Sequence, residues 1–82
     1  MNFELHPQLA KDTDVIGHFS LSVALLHKDN CVPWVILVPK RNNLKELHHL
    51  PFEEQTQFLR ESQCVMNCLE SLFKPDKLNL GA

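Results

Sequence analysis

The chain has 82 residues and a net charge of −2, with a sequence pI near 6.2, so it has no basic excess and broad electrostatic binding to nucleic acid is excluded. No run approaches the ~20 apolar residues that span a bilayer, and the start "MNFELHPQLAKD" lacks the basic-then-apolar order of a secretory signal. Three cysteines, an odd number, make no disulfide framework, so a cytoplasmic protein with reduced thiols is expected.

The length suits one small domain spanning residues 1–82, burying roughly 60–65% of the surface its unfolded chain exposes, which leaves a thin core. Along the chain, "HPQLAKD" suits a single helical turn, with Pro7 early, where a missing N–H does no harm. Gly17 then reads as a break. In "HFSLSVALLHK", Phe19, Leu21, Val23 and Leu25 fall on one face, and His18, Ser20, Ser22 and Ala24 on the other. That period of two predicts a half-buried antiparallel strand.

"KDNCVP" reads as a turn. "WVILVP" is a short β-branched run, expected as a strand covered on both faces and stopped by Pro39. The two strands with their short connection predict a hairpin. "KRNNLKELHHL" is polar and irregular. Pro51 suits a helix start, and Glu53 and Glu54 favour the positive end of a helix. Phe58, Val65, Leu69 and Leu72 recur at helical spacing, with Glu61 and Gln63 turned away. One amphipathic helix over about 51–73 follows, ended before Pro75. A further strand starts near Lys77. The fold class is α+β: one long helix on an antiparallel sheet made of a hairpin and the start of a third strand.

Several residues invite chemical readings. His48 and His49 are adjacent, without a Cys or carboxylate at zinc spacing nearby, and read as surface or packing residues. Cys64 and Cys68 stand at helical i, i+4 spacing, but two ligands are not a metal site, so core packing is expected. Cys31 has no neighbouring base in sequence that would make it a nucleophile. Trp34 has the shape to stack on a base, yet its place in a strand predicts core. Lys40 and Arg41 read as a solvated pair of charges. No metal and no cofactor is expected.

"CVPWVILVPKRNNLKELHHL", the helix after it and "DKLNLGA" together resemble the histidine triad (HIT) family, in particular the bacterial branch with Pro-Trp before "ILVP" and a "LHPQLAxDT"-like start. The resemblance covers all 82 residues. It implies a nucleotide-binding hydrolase or transferase acting at a nucleotide α-phosphate. The family signature is His-φ-His-φ-His-φ-φ, with φ apolar, on the strand after the one that carries Asn79. Alternate residues of a strand share a face, so these histidines gather on one phosphate. One attacks phosphorus, and the others orient it and stabilise charge.

This chain has His6, His18, His27, His48 and His49, but no such alternation, and it ends before that strand. The expectation is a C-terminally truncated, partial HIT-like domain, inactive by itself. The resemblance places Asn79 at the phosphate site. For the ribose hydroxyls it points to the end of the first strand, where His27, on the apolar face by alternation, is the first choice and Asp29 the second. The implied partner is a nucleotide or nucleotide conjugate, with a homodimer as a further expectation. The competing expectation is a non-catalytic interaction or strand-swapped oligomerisation domain, built on an open sheet edge after Leu80.

Overall fold

The computed structural model describes residues 3–28 and 33–73. Pro7–Asp12 form α1, Thr13–His18 form β1, Ser22–His27 form β2 and Val35–Pro39 form β3. A 3-10 turn at Leu47–His49 leads into the long helix α2, Phe52–Phe73. The strands make one antiparallel sheet in the order β1-β2-β3, so among the described residues β2 is the central strand.

α1 forms because its orphan groups find local partners. His6 Nδ1 accepts from Gln8 N at 3.1 Å, and Pro7 needs no donor there. At the other end, Thr13 both donates its N–H to the Leu9 carbonyl and adds its hydroxyl at 2.6 Å. Thr13 thus ends the helix and begins β1.

Gly17 does not break the chain. It lies inside β1 and pairs with Ala24, while Val15 pairs with Leu25, so Ile16 is left over as a bulge. Gly17 has no positive φ, and a Cβ there would meet nothing within 4 Å. The stretch expected as one strand over 18–28 is consequently two pieces. β1 ends at His18, Phe19–Leu21 turn the chain, and β2 runs back. The expected hairpin exists between β2 and β3, with Val23 opposite Val38 and Leu25 opposite Ile36. Part of its turn, and the strand expected near Lys77, lie outside the described residues.

β2 is buried on both faces rather than one. Leu21, Val23 and Leu25 are buried on one face, with Leu25 at 0% exposure, and Ser22 and Ala24 are buried on the other. The two-sided burial follows from its place. As the centre of the sheet β2 has a strand on each side, and α2 lies over the face that carries Ala24 and Leu26.

α2 begins where Pro51 and the acidic first turn predict it. Gln55 Nε2 caps the Leu50 carbonyl at 2.8 Å, and Leu50 itself is buried. Phe58, Val65 and Leu69 of the expected stripe are half-buried, but Leu72 is 75% exposed, lining an open gap between the C-terminal end of α2 and the sheet. Before α2, Asn43 takes φ 62°, a left-handed conformation that asparagine tolerates in a turn. Asn42 Oδ1 accepts from Glu4 N at 3.1 Å, tying the N-terminal segment to this loop.

Glu61 corrects a sequence expectation. It is not turned away but 3% exposed, and its Oε2 reaches the β1–β2 turn. Oε2 accepts from Leu21 N at 3.0 Å, Ser20 Oγ at 3.2 Å and Gln57 Nε2 at 2.7 Å. Lys40, from the end of β3, grips the same turn through Nζ to the Phe19 carbonyl at 2.8 Å. Arg41 holds Glu54 in a two-point contact, Nε to Oε1 at 3.1 Å and Nη2 to Oε2 at 2.6 Å. Lys40 and Arg41 are therefore tied to the protein, not merely solvated.

Candidate functional site

The site is built at the mouth of the β2–β3 hairpin. Ladder alternation puts Ala24 and Leu26 under α2, and therefore places Leu25 and His27 on the opposite face. The register does the same for β3, with Val35 and Leu37 under α2 and Ile36 opposite Leu25 on the other face, while Trp34, one residue before the strand, also lines the groove between β3 and α2. His27 N donates to the Trp34 carbonyl at 3.0 Å, which sets the two side chains next to each other. Their rings stack with centroids 4.8 Å apart and planes 12° from parallel.

Trp34 is thus not a core residue. It is 50% exposed and sits one residue before β3. His27 is half-buried beneath it. Such a pair is worth about 0.5–1.5 kcal/mol beyond its buried area, enough to hold both rings in one orientation. A second flat ring can be received on the indole, and the imidazole brings a nitrogen beside it.

Around this pair the start of β1 and the end of α1 close the corner. Thr13 pairs with His27 across the sheet and is itself buried. Lys28 N donates to the Asp12 carbonyl at 2.9 Å. Lys28 Nζ stands 3.8 Å from Asp14, but both side chains are exposed and the ion pair contributes little. Asp29 and Asn79, the other two site residues expected from the sequence, lie outside the described residues, as does Cys31.

The remaining candidates do not gather into a site. His48 and His49 are exposed and meet edge to face at 4.4 Å. Cys64 and Cys68 are free and exposed rather than core. Among the described residues no group of three or more His, Cys, Asp or Glu side chains is placed to hold a metal ion. None of the described helices is long and apolar enough to cross a membrane.

Glu61 is the polar group that sequence reasoning missed. Burial pushes its carboxyl up, and the hydrogen bonds from Gln57, Leu21 N and Ser20, with the Ser22 hydroxyl nearby, pull it down further, so the net shift is downward. Ser22 lies near enough to help hold the charge, although neither its hydroxyl nor Glu61 Oε1 has a hydrogen bond of good geometry. No charged neighbour contributes. The signal was present in the sequence: Glu61 follows Phe58 by three residues and precedes Val65 by four, so it falls on the apolar stripe itself. Glu61 holds the scaffold, since its partners are the turn and its own helix.

These features define an α+β domain with an antiparallel sheet, one long helix across one face and a stacked, half-exposed aromatic pair where β2 leaves the sheet and β3 enters it. A family model described as the HIT domain matches residues 8–82, and the chain belongs to that family. It is similar to a histidine triad protein from Bradyrhizobium japonicum, with TM-score 0.96 and 38% identity over 100% of this chain and 61% of that one. A histidine triad protein from Marinobacter aquaeolei VT8 gives TM-score 0.94 and 41% identity, covering 100% of this chain and 60% of that one. One from Sinorhizobium meliloti 1021 gives TM-score 0.94 and 34% identity, covering 98% and 59%. The chain thus spans about three fifths of the length of these structures. No curated protein matches it.

Proposed function

We propose that the chain is a nucleotide-binding part of a HIT hydrolase or transferase that acts at a nucleotide α-phosphate. The observation that carries this is the His27–Trp34 stack, with half of Trp34 exposed. Family membership supports the ligand class. In this reading Trp34 offers its face to the base. His27 meets the ribose hydroxyls, with Asp29 as the alternative, and Asn79 serves the phosphate.

Binding and turnover separate here. The family's chemistry uses alternating histidines, and none of the five in this sequence alternates with another in that pattern. Removing members of such a constellation costs orders of magnitude in rate. The 82-residue polypeptide by itself is therefore a binder without turnover.

Trp34 is the sole tryptophan, so its fluorescence reads the site directly. Titration with AMP should quench it saturably, with a matching heat by calorimetry. Base–aromatic stacking is worth about 1–3 kcal/mol, so Trp34→Ala should weaken AMP about 5- to 150-fold by calorimetry. His27→Ala should weaken it as well. The absence of both quench and heat at millimolar AMP would overturn the reading.

A second reading, an association domain, is favoured by a different observation. Val15, Ile16, Phe52, Leu72 and Phe73 are large apolar residues left exposed. Concentration-dependent sedimentation in the absence of nucleotide separates it from the first.

A further inference from the structure

Cys64 and Cys68 are free thiols exposed on α2. They stand one helical turn apart, so the helix sets their Cβ atoms about 5–6 Å from each other on one flank. That separation decides what the pair can do. A disulfide needs Cβ atoms about 3.5–4.5 Å apart, so the intact helix holds the two sulfurs out of bonding range. A metal ion between them closes the gap instead. Thiolate–metal bonds are about 2.3 Å long, so a linear sulfur–metal–sulfur bridge spans about 4.6 Å. The two side chains reach that span by rotation about χ1.

The flank is also held in place. Glu61, one turn before Cys64, is buried and accepts the Leu21 N–H at 3.0 Å, which fixes this part of α2 against the β1–β2 turn. Cys68 stands before the last turn of the helix, which ends at Phe73. Both thiols therefore project from a rigid element, as a preorganised site requires. Arg60, exposed one turn before Cys64 on the same flank, brings a positive charge.

Among the described residues no third His, Cys, Asp or Glu joins the two thiols as a metal donor. Zinc, calcium and magnesium take four or more donors and do not match the pair. A soft ion satisfied by two thiolates does match, and Cu(I) is the soft ion that thiolates select. We infer that Cys64 and Cys68 form a two-coordinate site for Cu(I) on the flank of α2. On binding, each S–H gives its proton to solvent and each sulfur forms one bond to copper. No electron is transferred. The bis-thiolate complex carries one negative charge, which Arg60 offsets. The site lies on a different element from the His27–Trp34 pair and works without nucleotide.

The test is an anaerobic titration of the reduced 82-residue chain with Cu(I), in competition with the chromophoric chelator ferrozine. One Cu(I) per chain is expected by native mass spectrometry, with copper X-ray absorption showing sulfur neighbours and no nitrogen. Cys64→Ser and Cys68→Ser should each weaken retention by more than the ~100-fold that loss of a residue merely supporting a metal ligand costs. Cys31→Ser should hold copper as the unmodified chain does. The double variant Cys68→Ser, Met66→Cys keeps the number of thiols but sets two of them on opposite sides of the helix. It should bind no better than Cys68→Ser. Circular dichroism checks that every variant keeps its helix. The inference is overturned if equimolar ferrozine takes all the copper, or if Cys31→Ser loses it as the α2 variants do. It is also overturned if the double variant binds as tightly as the unmodified chain, or if one ion is shared between two chains.

Discussion

Glu61 and Leu21 are 40 residues apart in sequence, yet the Glu61 carboxylate accepts the Leu21 backbone N–H at 3.0 Å in a buried position. This bond fastens α2 to the β1–β2 turn. Glu61→Ala would leave Leu21 N, Ser20 and Gln57 without their acceptor. Hydrogen bonds to a buried charge contribute about 1.5–3 kcal/mol each way they are lost. The variant should lose that much stability in urea denaturation, with Glu61→Gln losing less because it keeps an oxygen. A loss below about 0.5 kcal/mol, the size of an ordinary surface substitution, would remove Glu61 from this role.

The same carboxylate predicts an acid dependence. Its folded pKa lies below the ordinary value of 4.5, with burial opposing and the hydrogen bonds producing the shift. Within the window between the two values the unfolded state holds more protons, so stability rises with pH there. The contribution is fully present above the unfolded carboxylate pKa and is lost as pH falls through the folded one. Urea midpoints of the wild type should therefore fall more steeply than those of Glu61→Gln below about pH 4.5. Parallel curves would contradict the assignment.

Leu25 is fully buried at the centre of β2, with neighbours on both strands. Leu→Ala at such a site costs about 2–5 kcal/mol. A domain of this size holds only about 4–12 kcal/mol in total. Leu25→Ala should therefore lose a large fraction of the total stability, read as a markedly lower urea midpoint and melting temperature by circular dichroism. A melting curve close to wild type would show that the centre of the sheet lies elsewhere.

Cys64 and Cys68 are exposed on α2. Both should react with iodoacetamide in the folded protein without denaturant, as read by intact mass and peptide mapping. Protection of either until denaturant is added would mean that the C-terminal half of α2 is covered in solution.

The sequence told most where one periodicity acted alone. α2 is bounded by Pro51 and by the end of its stripe, and it begins and ends accordingly. The β2–β3 hairpin is legible because both strands are apolar and short. β1 was hidden because the bulge at Ile16 breaks the alternation that a strand is recognised by, and because Val15 and Ile16 are exposed. A glycine within it then suggested a break that the backbone does not make. Trp34 was misplaced for a different reason. Strand composition says that a residue lies in a strand but not where the covering layer stops. Of the candidate site, His27 was singled out in the sequence through alternation and the family resemblance. Its partner Trp34 depended on register, which only the paired strands reveal.

The stacked His27 and Trp34 rings also say something about how the hairpin finds its pairing. The strands on either side of the mouth are nearly uniform in composition, and Leu, Val and Ile are almost interchangeable across the ladder. A slip of one residue would still align apolar with apolar. It would, however, turn Trp34 to the other face of the ladder and separate it from the imidazole, because successive side chains alternate between faces. The aromatic pair therefore distinguishes one alignment from its neighbours, and a surface suited to a ligand also proofreads the strands that display it.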